Sequence, residues 1–179
     1  MNLLKAQPWD AVFATIDIKE ARVVLRDGTT PTAVEYEVKL GEGNLTYSER
    51  RNVDYILDRG NLDDVRLGDQ IPMEIRLDAN WEYITGGSDT AAVGTVEDFM
   101  KKRGVYAANV STDTDSCRPY AIDIVILFEP NCTTLPRSYE DITLADFRYE
   151  TIDHDLRAGT LSFTGQCNAT EAVPVRHDP

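Results

Sequence analysis

From Met73 to Tyr83 apolar and polar side chains alternate without a break. Met73, Ile75, Leu77, Ala79, Trp81 and Tyr83 fall on one side; Glu74, Arg76, Asp78, Asn80 and Glu82 fall on the other. A period of two belongs to a strand with one buried and one wet face and does not fit a helix. Pro72 stands at the start, where a missing backbone donor is tolerated. The same alternation returns at Val34, Tyr36, Val38 and Leu40, with Glu35, Glu37 and Lys39 between them. That arm pairs with Ala21 to Arg26 across a turn at Asp27-Gly28-Thr29-Thr30-Pro31.

Further strands are expected at Tyr120 to Pro130, apolar on nearly both faces and hence central, and at Tyr139 to Ile152 and Thr160 to Cys167. In the last of these, Leu161 and Phe163 are assigned to the core, and Ser162, Thr164 and Gln166 to the opposite face. One helix is expected, at Thr95 to Arg103. Thr95 and Asp98 form a capping box there, and Lys101, Lys102 and Arg103 close it before Gly104. A doubly wound α/β fold needs a helix between most strands, which excludes it here. The expected fold is mainly β: an antiparallel β-sandwich or barrel of about eight strands, with one short flanking helix and long assembly loops. Residues 1–168 are read as one domain with an N-terminal arm at 1–10, and residues 169–179, which lack periodicity, as an extended tail. The segment from Asp63 to Gln70 reads as a polar connection.

Charge narrows the function. The chain of 179 residues has 31 acidic and 18 basic side chains, a formal net charge of -13, which disfavours a basic nucleic-acid-binding surface. The N-terminal segment lacks the apolar stretch of a signal peptide, and no run is long enough for a spanning helix, so cytoplasmic synthesis and no membrane partner are expected. Cys117, Cys132 and Cys167 have no close spacing and are read as reduced thiols.

Chemistry-bearing patterns are few. Asp153-His154-Asp155 has the residue types of a metal or acid–base centre, yet neighbours along a strand point to opposite faces. The only other histidine is His177, so the triplet is read as a polar corner between two strands. The loop Lys39 to Leu45 has glycines but neither phosphate-binding pattern, and Ser111 to Cys117 lacks the glycine and distal glutamate of a calcium loop. No catalytic residue, metal or cofactor is assigned.

The phrases "VEYEVKLGEGNLTYSERRNVDYILDRGNLDDVRLGDQIPMEIRLDANWEYI" and "EDITLADFRYETIDHDLRAGTLSFTGQCN" resemble the major tail tube proteins of long-tailed, non-contractile bacteriophages. The resemblance spans most of Ala21 to Asn168. It implies a structural virion protein, made in the host cytoplasm and residing in the tail. Its hexameric rings would stack into a tube that conducts DNA without binding it specifically. The implied partners are further copies of the chain together with tape measure, tail terminator and distal tail proteins. The long loop from Gly41 to Arg59 would reach the adjoining ring, with contacts at Thr46, Tyr47, Ser48, Glu49, Arg50 and Arg51. An acidic lumen repels the DNA backbone, whereas basic contacts would add drag. The lumen-facing candidates are Glu74, Asp78, Glu82, Asp146 and Glu150, with Arg76 and Arg148 as exceptions in ring-to-ring or cross-strand ion pairs. A tail terminator or head–tail joining ring, and a small β-barrel enzyme or ligand-binding protein, remain the alternatives.

Overall fold

The computed structural model describes residues 21–38, 40, 44–80, 94–128 and 139–177. The N-terminal arm, Trp81, Glu82, Tyr83 and Cys132 lie outside the described residues. The strands are β1 (Ala21–Arg26), β2 (Glu35–Val38), β3 (Leu45–Ser48), β4 (Arg51–Asp58), β5 (Asn61–Gln70), β6 (Glu74–Asn80), β7 (Ile122–Phe128), β8 (Tyr139–Asp155), β9 (Thr160–Cys167) and β10 (Val173–His177). The helix α1 (Val96–Met100) lies between β6 and β7, and a 3-10 turn (Gly104–Tyr106) follows it. Eight antiparallel strands form one open sheet in the order β2-β1-β7-β8-β9-β6-β3, with β10 also on β8; β4 and β5 form a separate hairpin. The mainly antiparallel β fold with one short helix is therefore as the alternation predicts. The sheet does not close into a barrel.

The alternation sets the faces. In β6, Ile75, Leu77 and Ala79 are buried while Glu74 and Arg76 are exposed. In β9, Leu161 and Phe163 are buried, with Ser162, Thr164 and Gln166 on the other side, as assigned from sequence. β7 is central, between β1 and β8, and Val125 faces away from the core yet is as buried as Val24 beside it. One continuous core joins residues of both outermost strands, Tyr36 and Val38 on β2 and Leu45 on β3, with Val96, Phe99 and Met100 of α1. The aromatic rings of Tyr36, Phe99 and Tyr106 meet there, with centroids 5.0 to 6.0 Å apart. The capping box is present, with Thr95 accepting from the Asp98 amide and the Asp98 carboxylate accepting from the Thr95 amide. The helix ends at Met100, earlier than expected, because Lys102 and Gly104 turn to positive φ.

β8 is bent by two bulges. Its register slips by one residue against β7 between Ile122 and Ile124, and again against β9 between Tyr149 and Thr151. β9 and β10 run along the same edge of β8, one beside Phe147 to Asp155 and the other beside Tyr139 to Thr143. The C-terminal segment without periodicity is thus extended as a strand of the sheet. Its ladder comes from backbone pairing with β8, and backbone pairing leaves no side-chain pattern to read. Gly165 lies beside the second bulge, where a Cβ would sit 2.0 Å from the Arg148 carbonyl oxygen.

Asp27 organises the β1–β2 turn. Only 3% exposed, its carboxylate accepts from the amides of Thr29, Val34 and Val110 and from the Thr29 hydroxyl. Burial pushes this carboxyl up, but the hydroxyl and the three amides together outweigh that and hold it below its ordinary 3.8. A depressed folded value means stability that is complete above 3.8 and lost as pH falls through the lower folded value. Asp27→Asn is expected to cost about 2 kcal/mol at neutral pH and to flatten the acid limb of stability against pH, measured by urea denaturation. Gly165→Ala is expected to cost about 3 kcal/mol in the same assay, since the methyl group meets backbone that cannot swing away.

Candidate functional site

The wet face of the sheet is a polar array built by cross-strand register. Thr46 and Ser48 of β3 pair with Arg76 and Glu74 of β6. Those residues and Asp78 pair in turn with Thr164, Gln166 and Ser162 of β9, and Arg148, Thr151 and Asp153 of β8 continue the rows. A shallow concavity of about 300 Å³ lies on this face, lined by Thr46, Ser48, Glu74, Arg76, Glu150 and Gln166 among others. Glu74 and Glu150, two of the lumen-facing candidates, both line it. Asp78 sits on the same face, bonded to the Ser162 hydroxyl and 3.4 Å from Arg76.

Asp146 is placed differently. It occupies the first bulge at φ 55, accepts from the Thr112 hydroxyl at 2.7 Å, and donates its amide to Asp123 at 2.9 Å. Burial pushes the Asp123 carboxyl up, and the charge of Asp146 adds to that. Arg148 is turned inward to Asp113, at 2.5 Å, and to the Pro119 carbonyl oxygen at 3.0 Å. The amide of Asp115 and the guanidinium groups of Arg148 and Arg118 hold Asp113 below the usual carboxylate range against the effect of burial. Arg76 and Arg148 thus each have an ion pair within the chain.

The six residues predicted as ring-to-ring contacts divide in two. Thr46, Tyr47 and Ser48 are strand β3 at the edge of the sheet. Glu49, Arg50 and Arg51 form the root of the hairpin: Glu49 accepts from the Ala172 amide at 2.8 Å, Arg50 reaches Glu74 at 3.0 Å, and Arg51 pairs with Glu171. Beyond that root β4 and β5 leave the sheet as an arm, paired only with each other. Asp63 to Gln70, read from sequence as a polar connection, is part of strand β5. Arg59 and Gly60 both have positive φ and close the two-residue turn, a geometry that suits the twist of a hairpin.

Register sorts the arm into two faces. Val53, Tyr55 and Leu57 pair with Leu67, Val65 and Leu62, giving one apolar face; Asp54 and Ile56 pair with Arg66 and Asp64 on the other. Tyr55, Leu57, Leu62 and Leu67 are 60 to 80% exposed. Burying such side chains in a partner is worth on the order of 1.5–3 kcal/mol each. The signal in the sequence was alternation on both sides of Asp58-Arg59-Gly60-Asn61, broken on the second strand by the bulge between Leu62 and Asp64.

Asp153, His154 and Asp155 belong to the end of β8, and the corner itself is Leu156 to Gly159. His154 pairs across to Leu161, and its Nε2 lies 3.2 Å from Glu97 Oε2 on α1. Glu97 also binds Lys101 at 2.5 Å and Arg103 at 3.2 Å. The Lys101 bond, and behind it His154, lower the Glu97 carboxyl below its ordinary value despite burial. Among the described residues, no group of His, Cys, Asp and Glu could hold a metal ion. Cys167 is buried beside Phe147, and burial with the nearby Asp123 and Asp146 charges pushes its thiol up to about 12, far from a reactive thiolate. Cys117 is exposed and free.

Because His154 ties β8 to α1, His154→Ala is expected to lower stability by about 0.5–1 kcal/mol without changing any metal content, read by thermal denaturation and elemental analysis. Compared with protein-family models, with curated proteins and with solved structures, the chain matches none.

Proposed function

We propose that this chain is a structural subunit whose copies close into hexameric rings and stack into a tube, of the kind that forms the tail of long-tailed bacteriophages. The observation that carries the reading is the arm: two strands with a six-residue apolar face and, among the described residues, no other strand or helix paired with them. A lone hairpin is marginal in water, so this one gains most of its order when another surface covers it. Further copies of the chain are the simplest partner.

Two other features support assembly. The outer edges of β2 and β3 are unpaired within the described sheet, and edge strands of this kind are covered when neighbouring subunits continue the sheet. The wet face carries Glu74, Asp78, Glu150 and Asp153 beside neutral Ser and Thr hydroxyls, with its arginines held in ion pairs. Such a wall repels a polyanion and lets it slide. In this reading the tape measure, terminator and distal tail proteins meet the inside and the two ends of the tube, and DNA passes through without specific contact. No reaction is assigned.

Purified protein at rising concentration is expected to give rings and then tubes in negative-stain micrographs. Replacing residues 53–67 with a short Gly/Ser linker is expected to leave the folded monomer intact by circular dichroism and to abolish stacking. Normal tubes from that variant would refute the role of the arm. Rings that never stack, even from the unaltered chain, would favour a terminator or joining ring instead.

A further inference from the structure

Both feet of the arm stand on one short stretch of chain, the connector from Cys167 to Ala172 that leads from β9 into β10. On the outgoing side the Glu49 carboxylate accepts from the Ala172 amide at 2.8 Å, and Arg51 pairs with Glu171. On the returning side the Met73 amide donates to the Ala169 carbonyl oxygen at 2.9 Å, and the Met73 carbonyl oxygen accepts from the Cys167 amide at 2.9 Å. Arg50, between the two outgoing ties, reaches Glu74 on β6. Just beyond these ties the register of the hairpin slips by one residue between Arg51 and Val53, and a bulge of this kind bends a strand pair. The arm thus bends at its base, and the connector holds the chain on both sides of that bend.

The two halves of the connector are held unequally. Its first half is fixed to the core: Met73 and Cys167 are buried, Ala169 packs against the core cluster, and the Asn168 amide donates to the Asp146 carbonyl oxygen. Glu171 and Ala172 lead directly into β10, and no side chain of β10 belongs to that cluster. Val173 and Val175 are about half exposed, and Pro174 has no amide to donate. Backbone pairing with β8, the Arg176–Glu140 ion pair and the contact of His177 with Asp141 hold β10 in place. A strand with so few buried apolar contacts opens at a lower free energy than the sheet it joins. The outgoing foot of the arm therefore rests on the least buried strand of the eight-stranded sheet.

We propose that β10 and the connector before it are a strap that sets the stance of the arm. While β10 is paired to β8, Glu171 and the Ala172 amide stand where Arg51 and Glu49 need them, and the hairpin is held in one direction. When β10 leaves β8 the outgoing foot loses both ties, and the arm pivots on the Met73 foot that remains. Glu49, Arg51, Glu171 and β10 thus act as positioning elements for a hairpin they do not pair with. The inference goes beyond the assembly reading, because it concerns the arm of a single copy.

Spin labels at Arg59→Cys in the arm's turn and Arg157→Cys in the β8–β9 turn report the stance as a distance distribution. They are placed in the full chain carrying Cys117→Ser and Cys132→Ser, at concentrations where it is a monomer. One dominant distance is expected. Arg51→Glu and Glu171→Arg are each expected to raise the ratio of released to held arm about two- to fivefold, the worth of one exposed ion pair, and the two together to restore the single distance. Arg176→Glu, which sets like charge against Glu140 on β8, is expected to release the arm as well, and so is a chain ending at Ala172 with β10 removed. No dominant distance in the parent chain, no restoration in the double variant, or an unmoved arm in the folded chain without β10 would each overturn the strap. If that shortened chain does not fold, the Arg51 and Glu171 exchange decides alone. Every measurement is made on the monomer, so none of these outcomes bears on whether copies assemble into tubes.

Discussion

Everything in this molecule hangs on β8, a strand of 17 residues that three others share. β7 occupies one edge, and β9 and β10 divide the other. A straight strand of that length could not curve around one core. The two bulges solve this by adding a residue on β8 where its partners have none, which bends the strand and increases its twist. Phe147 then sits between Ile122 and Cys167, while Ile152, further along, faces Phe163. The same bends let a single sheet bring Tyr36 of β2 and Leu77 of β6 into one core with Phe99 of the helix.

Buried carboxylates hold the connections that the strands leave loose. Asp27 gathers three amides and a hydroxyl from the β1–β2 turn and from Val110, and Asp113 gathers two guanidinium groups and an amide. A carboxylate with its acceptor sites filled is stable in a half-dry place, whereas an unfilled one is costly. These residues explain why the polar segment between the 3-10 turn and β7 needs no regular secondary structure. They also turn Arg148 away from the wet face and leave that face more acidic.

The fold was legible because its strands are half-buried. Alternation at β6 and β9 reports burial directly, and the capping box at Thr95 is a local signal that needs no tertiary context. The site was legible only in part. Glu74 and Asp78 lie on the strand face that simple alternation gives them, but Asp146 and Glu150 stand at bulges, where counting by twos ceases to apply. The arm was read about as far as its root. Glu49, Arg50 and Arg51 anchor it to Ala172, Glu74 and Glu171, while the apolar face that would meet a neighbour begins at Val53.

By itself the sequence determined an acidic, mainly β chain with one capped helix, the central place of β7, and the inward face of β6 and β9. All of these follow from side chains spaced within a single element. Tertiary structure alone decided where β8 bends, that β10 returns to the sheet, and that the hairpin of β4 and β5 stands away from it. Bulges, backbone-only pairing and the separation of the hairpin from the described sheet depend on partners distant in sequence, and such partners leave no periodic trace in the strand they act on.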